Sequence, residues 1–172
     1  DDGQNDIAPD GTVWFPEGNG QTWDANGLAT AQRARNNLNN FSFSGNASEN
    51  HIPRDVYRTY AQDNNFNFSL DVNSPPGGGG GNGLYDVTVY MADRNNDRRR
   101  SVRITIEGVV VEEDYHPRDD GNCGSNAFCA VTFEDIAVTD GTINIQFERA
   151  RPNAFGSDGR TPRVNALEVT LN

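Results

Sequence analysis

The chain contains no lysine; all fourteen of its basic residues are arginine. A Schiff-base lysine and the lysine of a phosphate-binding P-loop are therefore excluded. Histidine is nearly as scarce, with only His51 and His116. A three-histidine zinc centre cannot form, and any zinc site would need both histidines to meet carboxylates. No run of about eighteen apolar residues occurs, so no segment reads as a membrane-spanning helix. No signal peptide is recognisable, as expected of a processed mature chain. Positive charge is also short: 25 acidic residues against 14 basic ones give a formal net charge of -11. An electrostatic grip on nucleic acid or on an anionic membrane is disfavoured.

What the chain has in abundance is asparagine, with 22 residues, and glycine, with 18. Both favour turns over long helices. At 172 residues the sequence reads as a single domain spanning 1–172, large enough to bury a full core, with residues 1–12 as an acidic, turn-rich arm. Tyr85, Val87, Val89 and Met91 alternate with Asp86, Thr88 and Tyr90, the period-two pattern of a strand with one buried face. Val102, Ile104 and Ile106 repeat it, and Gly108 breaks the run before a third short strand, Val109 to Val111. Further strands are predicted at Val13 to Pro16, at Phe41 and Phe43, over Val56 to Ala61, and over Phe66 to Val72. The last group is Ala130 to Phe133, Ile136 to Val138, Ile143 to Phe147 and Val164 to Leu171. Asp140-Gly141 signals a hairpin, the glycine run after Pro76 a flexible connection, and Tyr115 to Phe128 a long loop. Only Ala25 to Asn37 has helical propensity. The expectation is an all-β antiparallel sandwich of jelly-roll type, with eight to ten strands and at most one short helix.

Several of these segments, in their order and spacing, resemble the malectin-like, galactose-binding-like group of carbohydrate-binding β-sandwiches. They are Tyr57-Arg58-Thr59-Tyr60, Phe66 to Leu70, Gly83 to Asp93, Val102 to Val111, Phe133 to Ile145 and Val164 to Val169. The likeness runs from about Pro53 onward. It implies a carbohydrate-binding module, with Tyr57 and Tyr60 near the binding face and Asp93 in the motif of a small residue plus an acid that ends the Gly-Tyr strand. Here Arg94, Asn95, Asn96 and Asp97 follow that acid, where relatives often carry aromatics.

Sugars pack C–H faces on aromatic rings and offer hydroxyls to planar acceptors and guanidinium donors. On that chemistry the candidate ligand-binding residues are Tyr57, Tyr60 and Tyr90 as platforms, with Asp93, Arg94, Tyr115 and Asn165 as polar contacts. Tyr90 has the parity opposite to the core, Tyr115 falls in the predicted loop, and Asn165 shares parity with Leu167 and Val169 at a strand start. Arg98, Arg99 and Arg100 have two readings: a grip on carboxylate or sulfate groups of an acidic glycan, or pairing with Asp93, Asp97 and Glu112. Cys123 and Cys129 are close enough for a disulfide across a loop; the alternative is two buried thiols. A disulfide would favour an extracellular setting. Asp93-x-Asn95-x-Asp97 begins like a calcium loop, but the sixth position is Arg98 and the twelfth Ile104, which rejects an EF-hand. A structural calcium ion stays open among Asp114, Asp119, Asp120 and Asn122.

Catalysis has thin support. His116 beside Tyr115, with Arg118 as a charge clamp, would suit proton abstraction from a uronate, and no carboxylate pair is singled out by spacing. The sequence therefore points to a non-catalytic, extracellular carbohydrate-binding module whose partner is a glycan. A structural or adhesive sandwich subunit able to self-assemble is the alternative, and a small lyase or hydrolase ranks third.

Overall fold

In the computed structural model the described residues are 6–7, 13–14, 21–24, 42–43, 61–62, 64–72, 81–93, 100–117, 127–150 and 162–172. They form thirteen strands: β1 Asp6–Ile7, β2 Val13–Trp14, β3 Gln21–Asp24, β4 Ser42–Phe43, β5 Ala61–Gln62, β6 Asn65–Asp71, β7 Gly83–Asp93, β8 Val102–Ile106, β9 Val109–Tyr115, β10 Ala127–Val138, β11 Thr142–Arg149, β12 Arg163–Val164 and β13 Ala166–Leu171. One sheet has the order β13-β7-β10-β4, the other β3-β6-β11-β8-β9. Two short ribbons, β1-β2 and β5-β12, complete the set. The nine strands of the two main sheets agree with the expected count. The stretch 25–37, where a helix was expected, lies outside the described residues.

The sheets share one apolar core because β6, β7, β8 and β11 alternate core-facing with outward residues. β6 contributes Phe66, Phe68 and Leu70, β7 Tyr85, Val87, Val89 and Met91, β8 Val102, Ile104 and Ile106, and β11 Ile143, Ile145 and Phe147. In register, Phe147 lies opposite Phe66 on one side and Ile104 on the other. The two phenylalanine rings stack with centroids 5.1 Å apart. Such offset ring pairs add to the burial of the two side chains.

The turns explain where the chain reverses. Glu107 and Gly108 link β8 to β9 with φ values of 51° and 74°, the two left-handed residues of a tight type I′ hairpin. The Asp140 carboxylate accepts the Thr142 N–H at 3.0 Å, and Gly141 has φ 79°. This is the hairpin signalled by Asp140-Gly141.

Three expectations need correction. β9 continues to Tyr115 instead of stopping at Val111, because it pairs with β8 along its length. Ala130 to Phe133 and Ile136 to Val138 are one strand, interrupted by a bulge at Glu134 and Asp135, where Asp135 has φ 57° and its N–H is held by the Asp86 carboxylate at 3.1 Å. The pairing is antiparallel except at β4, which runs parallel to β10 through Ser42 and Phe43.

Phe147→Ala is expected to cost about 3–5 kcal/mol of unfolding free energy, seen as a lowered urea midpoint. Val109→Ala, at a residue 64% exposed on the hairpin tip, should shift it by less than about 0.5 kcal/mol.

Candidate functional site

Three of the long connections leave from one end of the sandwich. β7 finishes there at Asp93, paired with Ala127 at the start of β10. β8 begins there, with Val102 opposite Tyr115 at the end of β9 and Arg149 at the end of β11. Arg149 N–H donates to the Asn64 carbonyl at 3.0 Å, and Ala150 N–H to the Ser101 carbonyl at 3.1 Å. The segments 94–99, 118–126 and 151–161 all leave from this rim. At the opposite end the turns at 107–108 and 139–141 are short, and the segments 15–20 and 73–80 leave from there too, since Gln21 pairs with Leu70 and the Val72 N–H donates to the Gly141 carbonyl. Loops on a rigid sandwich are where recognition is usually carried.

Of the residues singled out from sequence, Tyr57, Tyr60, Arg94 and Cys123 lie outside the described residues. Asp93 is the last residue of β7, at the loop-bearing rim. Asn165, half-buried between β12 and β13, donates its N–H to the Tyr90 carbonyl at 2.8 Å near the same end of β7.

Tyr90 and Tyr115 depart from expectation. Tyr90 does point away from the core, as its parity required, yet it is only 2% exposed and its hydroxyl donates to Glu168 Oε2 at 2.6 Å. Tyr115 ends a strand and belongs to the core at 3% exposure. Neither ring is presented as a platform for a sugar. Arg100, read with its two neighbours as a grip on an acidic glycan or as a partner of nearby acids, is 2% exposed just before β8. It cannot grip a polymer from there. Arg98 and Arg99 lie outside the described residues.

The structure assembles one cluster at this rim that the sequence did not show. Between the paired residues Val102 and Ile106 on β8 there are four steps, and between Tyr115 and Val109 on β9 there are six. β9 thus carries two extra residues, and the bulges re-aim its side chains. Asp114 comes to accept a short hydrogen bond from the Ser101 hydroxyl, and its Oδ1 lies 3.3 Å from His116 Nε2. Ser101 is 3% exposed, and the Asp114 and His116 side chains are 21% and 19% exposed. The Asp114 N–H is held by Glu112 Oε1 at 3.3 Å. On the outer surface, Arg103 donates to Glu113 Oε2 through Nε at 2.9 Å and Nη2 at 2.5 Å. The hydrogen bond to Glu113, followed by the charge of the same group, raises the Arg103 pKa.

The carboxylate stands in the middle of the Ser101–Asp114–His116 group. A nucleophilic serine needs the imidazole beside its hydroxyl as base. Here the hydroxyl is spent on the acid, so this arrangement positions β8 and β9 at the rim. Cys129 is 1% exposed with Sγ 3.7 Å from the Met91 carbonyl, and no free thiol occurs among the described residues. Among the described residues no group of three or more His, Cys, Asp or Glu side chains is arranged to hold a metal ion, and no helix is long and apolar enough to cross a membrane. Asp119, Asp120 and Asn122 lie outside the described residues.

Asp114→Ala is expected to cost about 1–3 kcal/mol by stranding the buried Ser101 hydroxyl. In a double-mutant cycle with Ser101→Ala, denaturant unfolding should show a coupling of at least about 0.5 kcal/mol. Additive effects would show that the hydroxyl is not tied to the carboxylate.

No protein-family model and no curated protein sequence matches the chain. Solved structures do match in fold. The ANX1 ectodomain from Arabidopsis thaliana superposes with a TM-score of 0.66 at 14% identity, covering 97% of this chain and 45% of that one. The structure of the plant peptide RALF23 in complex with FER and LLG2 gives a TM-score of 0.63 at 11% identity, covering 97% of this chain and 46% of the other. Beta-glucuronidase 2 of Bacteroides uniformis gives 0.56 at 16% identity, over 94% of this chain but only 16% of that one. The chain thus spans less than half the length of the plant ectodomains and a small part of the enzyme. At these identities the likeness is one of fold alone: the chain shares the β-sandwich of these plant ectodomains.

Proposed function

We propose that the chain is a non-catalytic carbohydrate-binding module of an extracellular protein, and that it binds its glycan at the loop-bearing rim. The observation that carries this reading is that Asp93 ends β7 at the rim from which the segments 94–99, 118–126 and 151–161 leave, with the Asn165 N–H bound to the Tyr90 carbonyl near the same end. The fold shared with plant receptor ectodomains supports a recognition role outside the cell. Tyr57, Tyr60 and Arg94 complete the proposed site; Tyr60 directly precedes β5, which pairs with β12 two residues before Asn165. Tyr90 and Tyr115 serve it from beneath, by fixing the strand ends. The peptide in the complex with FER makes a peptide the competing ligand class.

Affinity electrophoresis against soluble neutral and acidic polysaccharides tests the reading. Retardation that is lost, by tenfold or more in affinity, in Tyr57→Ala or Tyr60→Ala supports it. No retardation by any polysaccharide overturns it.

The Cys123–Cys129 disulfide belongs to the same proposal, because a small oxidised loop suits an extracellular rim. Iodoacetamide under denaturing, non-reducing conditions should label neither cysteine, and both after reduction. A structural calcium ion among Asp114, Asp119, Asp120 and Asn122 is also proposed; chelation should then lower the thermal midpoint by a few degrees.

A further inference from the structure

The outward face of the five-stranded sheet has an unusual chemistry at its centre. β6 presents Asn65, Asn67 and Ser69, and the adjacent β11 presents Asn144 and Gln146, in direct register: Asn144 opposite Ser69 and Gln146 opposite Asn67. Both strands are interior to the sheet, flanked by β3 and β8. Asparagine is depleted in strands, and an ordinary solvent face carries threonine and mixed charges. Here five uncharged side chains adjoin one another in a chain with formal net charge -11. The charged residues stand around them: Asp24 on β3 opposite Asn67, Glu148 beside Asn65, Asp71 at the end of β6, Arg103 on β8 and Glu107 in the turn that follows it.

These side chains are held in place by one another. Gln146 Nε2 donates to Asn65 Oδ1 at 3.3 Å, Asn65 Nδ2 reaches Glu148 Oε1 at 3.5 Å, and Ser69 donates to Asn144 Oδ1 at 2.8 Å. That network uses only part of their capacity, since each amide has an acceptor oxygen and two donor hydrogens. The Asn144 amide nitrogen and the Gln146 carbonyl remain for a ligand, and Asn67 Oδ1 is buried with no hydrogen-bond partner. A buried acceptor left unmet costs free energy, and turning the Asn67 amide toward an incoming hydroxyl recovers it. Side chains already fixed by neighbours lose little further freedom on binding.

We propose that this face is a second glycan-contact surface, and that it takes a stretch of neutral polysaccharide laid across β6 and β11. The proposal rests on the carbohydrate-binding reading above but places contacts on the sheet, away from the loop-bearing rim. Neutral donors and acceptors match sugar hydroxyls, and an uncharged centre offers nothing to a carboxylate or sulfate. The distance from Asn65 to Ser69 is about 13 Å along the strand, room for a short run of sugar rings. Binding here should be insensitive to ionic strength, because no charge is neutralised.

The test uses soluble neutral polysaccharides (a mixed-linkage glucan, a galactomannan and a xylan) with the unmodified chain and four variants. Asn67→Ala and Gln146→Ala should each weaken retardation of the bound polysaccharide by fivefold or more, and Thr170→Ala, exposed on the other sheet, should leave it unchanged. In the unmodified chain, the side-chain amide signals of Asn67, Asn144 and Gln146 should shift on titration in ¹⁵N-resolved NMR, a readout independent of whether any variant folds. Full retention of binding in both sheet variants with unmoved amide signals overturns this proposal, and if Tyr57→Ala abolishes that binding the rim reading stands alone. Absence of any binding by the unmodified chain overturns the carbohydrate reading itself.

Discussion

The stacked pair Phe66 and Phe147 lies at the heart of the five-stranded sheet's inner face, and the layer built on it fixes which side of every strand meets solvent. A strand in a sandwich has no freedom to slip by one residue, because the slip would exchange its apolar and polar faces. β6, β8 and β11 are therefore locked in register by Phe66, Phe68, Ile104, Ile106, Ile145 and Phe147. With the inner face settled, the outer face is settled as well. Asn65, Asn67, Asn144 and Gln146 are brought together by a core they do not touch.

The same constraint divides the ends of the molecule. The Glu107-Gly108 and Asp140-Gly141 turns reverse the chain at one end with few residues, and the segments 15–20 and 73–80 leave from the same end. At the other end Asp93, Val102, Tyr115, Ala127 and Arg149 mark where five strands start or stop. The bulged β9 adds a local device, since its two extra residues turn Asp114 toward Ser101 and His116. The buried Tyr90 and Tyr115, one bonded to Glu168 and the other in the core, stiffen the strand ends at this rim.

Much of the fold was legible along the chain. The alternation of Tyr85 to Met91, Val102 to Ile106 and Ile143 to Phe147 specified strands whose buried members the structure confirms. The Asp140-Gly141 signal marked a real reversal. The site was less legible. Parity placed Tyr90 outside the core, but parity only says which face a residue takes, and burial also depends on what packs over that face. Tyr115 was misplaced because the glutamate-rich run after Val111 breaks the apolar alternation, while bulges let the strand go on regardless.

The period-two pattern by itself determined that this is an all-β chain and which residues form its core, because alternation is a local property that burial of one face imposes on each strand. Its scarcity of histidine and absence of lysine likewise fixed chemistry that no folding could restore. Only the tertiary structure decided which strands are neighbours, and hence that Asn67 lies beside Gln146, Ser101 beside Asp114 and Tyr90 beside Glu168. Those juxtapositions join residues as far as 79 positions apart in the chain, as for 67 and 146, and depend on sheet order and bulges, which no local pattern encodes.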